Sequence, residues 1–147
     1  MDGEISEAWV TSTEGEFAGW MNWPGDNWEM GGGPFYFRRE ADGSARCAFR
    51  AGPKHMNGQG HMHGGAMMTF ADFAMFGIAA VAIGKDKAVT VSLNSEFVSA
   101  AQSGDLMEAT GEVVKAGKRM IFIRGTIFTS GRVVMTFSGT LMRLTSG

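Results

Sequence analysis

Asn57, His63, Gly64, Gly65 and Asp72 fall within one stretch, N-G-Q-G-H-M-H-G-G-A-M-M-T-F-A-D, at the mouth of the longest apolar run in the chain. From Ala66 to Ile83 the only ionisable residue is Asp72. Paired glycines before a helical run let the backbone approach a substrate closely. The first N–H groups of a helix lack partners and carry a partial positive charge, so they can hold a developing oxyanion on an ester or thioester carbonyl. A carboxylate inside an apolar helix is costly unless it is paired or has a task. Asp72 is therefore a candidate base or nucleophile, ionised at neutral pH if its pKa is ordinary.

Spacing adds a constraint. Gly64 and Asp72 are eight residues apart, which on a regular helix is about 12 Å along the axis. One carbonyl cannot touch both. If both serve one reaction, Gly64 comes from one chain and Asp72 from another, with two such helices passing about a twofold axis and forming two identical sites.

The ordered set, with Asn57 six residues before His63 and Asp72 nine after it, resembles the signature of the hotdog-fold acyl-CoA thioesterases. Within them it is most similar to the phenylacetic-acid-pathway and thioesterase-superfamily-member branch. The likeness extends through Ala88-Val-Thr-Val-Ser-Leu-Asn94 and Val113-Val-Lys-Ala-Gly-Lys-Arg119 to the last strands, covering residues 34–144. It implies an α+β fold in which an antiparallel sheet wraps a long central helix, and hydrolysis of acyl-CoA thioesters with no cofactor, coenzyme A being part of the substrate. It further implies a homodimer, in a dimer of dimers.

By the same resemblance, the Asn57 amide orients the thioester carbonyl or the attacking water, and His63 is mainly a positioning residue. Thr90 stands where such thioesterases often carry a serine that helps hold the water; threonine keeps the hydroxyl but restricts χ1. Other readings stand beside these. Asn57 suits a turn, Asp72 could pair with a buried group, and Thr90 suits a strand. Lys54, Lys118 and Arg119 are candidates for the phosphates of coenzyme A, or else solvated charges. A hotdog hydratase or dehydratase, and a non-catalytic acyl-CoA-binding protein, are the alternative functions.

Composition bounds the rest. The 147 residues, 44% hydrophobic and 19% charged, suit one domain with a substantial core, residues 1–34 forming a tryptophan-rich extension. A net charge of −2 gives no basis for nucleic-acid or anionic-membrane binding. The single cysteine, Cys47, allows no internal disulfide and fits a reducing cytoplasm. His55, His61 and His63 lack Cys or acidic companions at metal-ligand spacing, so no metal is expected. The start, Met1-Asp-Gly-Glu, lacks the basic and apolar regions of a secretion signal. The run from Gly64 to Ile83 is long enough to span a membrane, but its Asp and its Ala, Gly, Met and Phe content fit a buried helix better.

Local signals predict the elements. A short helix is expected within Ser6 to Met21, then a hairpin through Asp42-Gly43, a strand ended by Pro53, and one helix from Gly64 to the Gly84 stop. Strands are expected near 88–97, 105–115, 119–128 and 132–144, with Val133, Met135, Phe137 and Leu141 on the apolar face of the last. The extension reads as a cover whose tryptophans pack on the sheet or at an oligomer contact, or as a lid over an acyl tail.

Overall fold

A computed structural model describes residues 3–144. Two short strands, β1 (Val10–Thr11) and β2 (Met21–Asn22), precede a helix, α1 (Asn27–Gly32). The hairpin β3 (Tyr36–Arg39) and β4 (Ala45–Arg50) follows, then a 3₁₀ turn at Pro53–His55 and the long helix α2 (Gly64–Ile78) with its short continuation α3 (Ala80–Ile83). Four long strands complete the chain: β5 (Lys87–Phe97), β6 (Leu106–Ala116), β7 (Met120–Thr129) and β8 (Arg132–Leu144). They form one antiparallel sheet in the order β1-β2-β3-β4-β6-β7-β8-β5. This is the α+β hotdog architecture, with α2 lying in the curl of the sheet.

The helix is apolar nearly all round because the sheet covers most of it. Met67, Phe70, Ala71, Phe73, Ala74, Met75 and Gly77 are buried. Glycines allow two close approaches between α2 and the sheet. A Cβ at Gly77 would lie 3.1 Å from Cys47 Sγ and 3.2 Å from Phe37. One at Gly139 on β8 would collide with Met75 Sδ and come within 2.7 Å of the Ser92 carbonyl oxygen. The side of α2 that the sheet leaves half-covered carries Thr69, Asp72 and Phe76, spaced three and four residues apart on one stripe.

Three expectations need correction. No helix forms between Ser6 and Met21; Gly15 and Gly19 take φ of +80° and +91°, which breaks helical continuation, and β1 and β2 extend the sheet instead. The central helix stops at Ile78, because Ala79 (ψ 5°) turns the chain before α3; Ala79, Ala80 and Ile83 are all buried, so packing favours the bend. On β8 the apolar alternation slips. An irregularity opposite Ile127 and Phe128 inserts one extra residue, so Val134 is buried and Val133 exposed, as a bulge requires.

The tryptophans of the extension mostly cover the sheet. Trp9 meets Phe37 (4.6 Å between ring centroids), Trp23 (5.2 Å) and Phe73 (5.7 Å), each edge to face, the geometry aromatic quadrupoles favour. The Arg38 guanidinium lies 4.4 Å from the Trp20 ring centroid. Among the described residues no helix is long and apolar enough to cross a membrane.

Candidate active site

His63 is the N-cap of α2: its backbone is extended and its Nδ1 accepts the Gly65 N–H at 2.9 Å. The N–H groups of Ala66 and Met67 reach the His63 carbonyl. The histidine thus acts on its own helix end, taking up the Gly65 donor, while the Gly64 N–H donates to no described residue. Gly65 contributes its small size here, since a Cβ there would press on the His63 ring at 3.1 Å.

Two turns further along α2, Asp72 Oδ1 accepts the Thr90 hydroxyl at 2.6 Å. Helix and strand β5 therefore present a carboxylate and a hydroxyl side by side. Burial pushes the Asp72 pKa up and the charge of Asp26 adds to this, while the Thr90 hydrogen bond opposes them. The net direction is upward, toward a better proton acceptor. α2 is regular from Gly64 to Ile78, so the separation of Gly64 and Asp72 by about 12 Å holds within one chain.

The remaining sequence candidates are dispersed. Asn57 Oδ1 accepts the N–H groups of Gln59 (2.8 Å) and His61 (3.2 Å), which shapes the loop before α2. Any contact of this side chain with substrate falls to its amide nitrogen. Lys54 Nζ donates to the carbonyls of Gly31 (3.1 Å) and Gly33 (2.7 Å) at the end of α1. There it holds the extension, beside His55, whose Nδ1 accepts Gly52 N–H (2.9 Å) while its Nε2 lies 2.6 Å from the Gly32 carbonyl oxygen. With Nδ1 accepting, Nε2 is the donor. Lys118 and Arg119 lie in the β6–β7 turn, Arg119 reaching Met142 Sδ on β8, which pairs with Val89 near the start of β5. That is the end of the molecule opposite Lys54, so one chain does not gather the three cations. Among the described residues no three His, Cys, Asp or Glu side chains cluster as a metal site.

The thioesterase superfamily model matches residues 59–136, more than half of the chain. The chain belongs to the thioesterase superfamily. It is 34% identical over 108 residues to a candidate esterase of Pseudomonas aeruginosa, a match covering 73% of this chain and 81% of that one. It is also similar to a mutant of the phenylacetic acid degradation protein PaaI from Thermus thermophilus (26% identity, TM-score 0.69, 81% of this chain and 100% of that one). A Bacillus halodurans protein solved with CoA is similar as well, at 26% identity and TM-score 0.69, covering 76% of this chain and 74% of that one.

This thioesterase-superfamily chain also places residues near Asp72 that sequence reading passed over. Trp28 on α1 donates its indole N–H to Thr69 Oγ1 at 3.2 Å although the side chain is 74% exposed. Glu29 is pushed up to about 8, first by burial and then by the negative charges of Asp26 and Asp72. A signal for α1 was available: Asp26-Asn-Trp-Glu29 has N-cap spacing, and Asp26 Oδ1 does accept Glu29 N–H at 2.9 Å. What it could not show is that α1 folds against α2.

Glu29 leads to a stability prediction. Its folded pKa, about 8, lies above its ordinary 4.5, so the folded state holds its proton more firmly than the unfolded one. The contribution to stability is therefore complete below about 4.5 and is lost as pH rises through about 8. At most, stability falls by about 1.4 kcal/mol per pH unit in that window. Urea midpoints at about pH 5 and about pH 8 should differ less in Glu29→Gln than in the wild type. Equal differences in the two proteins would show that Glu29 is not held in its protonated form.

Proposed function

We propose that this protein hydrolyses acyl-CoA thioesters to free acid and CoA at sites shared between two copies of the chain. The observation that carries the reading is the Asp72–Thr90 pair, set about 12 Å along a regular helix from a Gly64 N–H that donates to no described residue. The Gly64 N–H of one copy, with the Asn57 amide nitrogen, polarises the thioester carbonyl. Asp72 of the neighbouring copy takes a proton from water as its oxygen attacks the carbonyl carbon. The Thr90 hydroxyl donates to Asp72, so its lone pairs remain open to orient that water. Collapse of the tetrahedral oxyanion breaks the carbon–sulfur bond, and the proton on Asp72 passes to the departing thiolate. This sequence uses no cofactor beyond the coenzyme A of the substrate.

Pairing of two copies is supported by β5. It is an edge strand of eleven residues that carries Thr90 and exposes Val89, Val91 and Phe97, and an unpaired apolar edge of that length invites a second strand. A twofold perpendicular to the strand, pairing it antiparallel with its copy, would bring the Lys118–Arg119 turn of one copy toward the Lys54 end of the other, gathering cations for the CoA phosphates. Coenzyme A bound to the Bacillus halodurans relative favours the same ligand here. Further association into a dimer of dimers, in the cytoplasm, is part of this reading. Free-thiol release from aryl-, short-, medium- and long-chain acyl-CoAs tests it directly; turnover of some members is expected, and none across the panel would overturn it.

A further inference from the structure

The half-covered stripe of α2 continues past Asp72 into a cavity that the extension builds. Phe76, one helical turn beyond Asp72, and Ala88, two residues before Thr90 on β5, line it together with Ala80, Ile83, Trp9 and Trp23. A helical turn advances about 5.4 Å and two strand residues about 6.8 Å. The cavity therefore opens within roughly that distance of the Asp72–Thr90 pair, on the same helix stripe and the same strand face. Its volume is about 230 Å³, below the roughly 300–1,000 Å³ of clefts that take drug-sized ligands. A second cavity of about 400 Å³ lies on the other side of Asp72, its lining mixed, with Trp28, Phe35 and Met56 beside Lys54, His55 and His63.

We propose that the Trp9–Trp23 cavity binds the tail of a medium-length, unsubstituted acyl group, with the N-terminal extension as its outer wall. The assignment rests on the reading of Asp72 and Thr90 as the reacting pair, because it is their position that makes the cavity the next apolar space along the chain of the substrate. Trp9 is anchored edge to face on Phe37 and Phe73, so it forms a rigid floor. Trp23 packs edge to face on Trp9 and lines the cavity beside it. Chain length is thereby limited by a residue of the extension and not by the sheet.

Two variants test this in opposite directions. Trp23→Ala lengthens the cavity and should raise the ratio of kcat/KM for dodecanoyl-CoA over hexanoyl-CoA by about tenfold or more. Ala88→Val fills it from β5 and should lower the same ratio. A folding defect scales both substrates together and leaves the ratio in place, so ratios within about twofold of wild type in both variants would overturn the proposal. A separate measurement distinguishes failure of the hydrolase reading. In Asp72→Asn protein, hexanoyl-CoA should shift the indole emission and coenzyme A alone should not. If the wild type releases no thiol yet this shift occurs and is lost on adding Ala88→Val, the cavity binds the tail and only hydrolysis is refuted. Absence of the shift refutes the cavity.

Discussion

Asp72→Asn is expected to lower kcat for thioester hydrolysis by about 10²–10⁴-fold, the usual contribution of a positioned proton acceptor. Asparagine is close in shape and keeps an oxygen to accept the Thr90 hydroxyl, so the site should stay in place while its base is lost. Stability should move the other way. Because burial raises the pKa of Asp72 in the folded chain, its ionised form opposes folding at pH above that raised value and not below the unfolded one. The amide removes this cost, so the variant should melt at or above the wild-type temperature near neutral pH, with the gain disappearing in acid. In the wild type, kcat/KM should fall as pH drops through the raised pKa. Wild-type turnover by Asp72→Asn would remove Asp72 from the mechanism, and a large drop in melting temperature would mean that the residue serves the fold.

Phe73→Ala is expected to cost about 3–5 kcal/mol, the range for deleting a buried phenyl group. The side chain is 0% exposed and stands where α2, the hairpin and the extension meet, with its ring centroid 5.7 Å from Trp9 and 5.6 Å from Phe35. Collapse into the resulting space is restricted because Trp9 is also held by Phe37 and Trp23. Against a typical domain stability of about 5–15 kcal/mol, this loss should bring the protein near its unfolding threshold. Urea titration measures it through the midpoint, with the slope unchanged. Val10→Ala, at a side chain 48% exposed, should stay within about 0.5 kcal/mol as the surface comparison. A cost of less than about 1 kcal/mol at Phe73 would mean that this core contact is not made as described.

Much of the fold was legible because its signals are local. The strand spans from Lys87 to Leu144 follow from alternation and turn residues, and the Ser130-Gly131 turn takes positive φ at both positions (49° and 76°), as a tight hairpin requires. The start of α2 could be read from paired glycines that open the longest apolar run in the chain. Even local signals failed where packing opposed them: the Ala79 bend and the Val134 bulge answer to the sheet that surrounds them, and β1 and β2 are too short to show any periodicity.

The sequence by itself determined the spacing of Asn57, His63, Gly64 and Asp72, and with it the conclusion that one helix cannot bring Gly64 and Asp72 to the same atom, because helical rise is a property of the backbone alone. Only the tertiary structure decided which groups meet across the fold. Thr90 reaches Asp72 because β5 leaves its chain neighbours for the sheet edge beside β8. Lys54 holds the end of α1, Glu29 is half-buried near enough to Asp72 to feel its charge, and two tryptophans line a cavity one turn beyond it. Each of these depends on surfaces far apart in the chain being buried together, and residue order does not record which surfaces those will be.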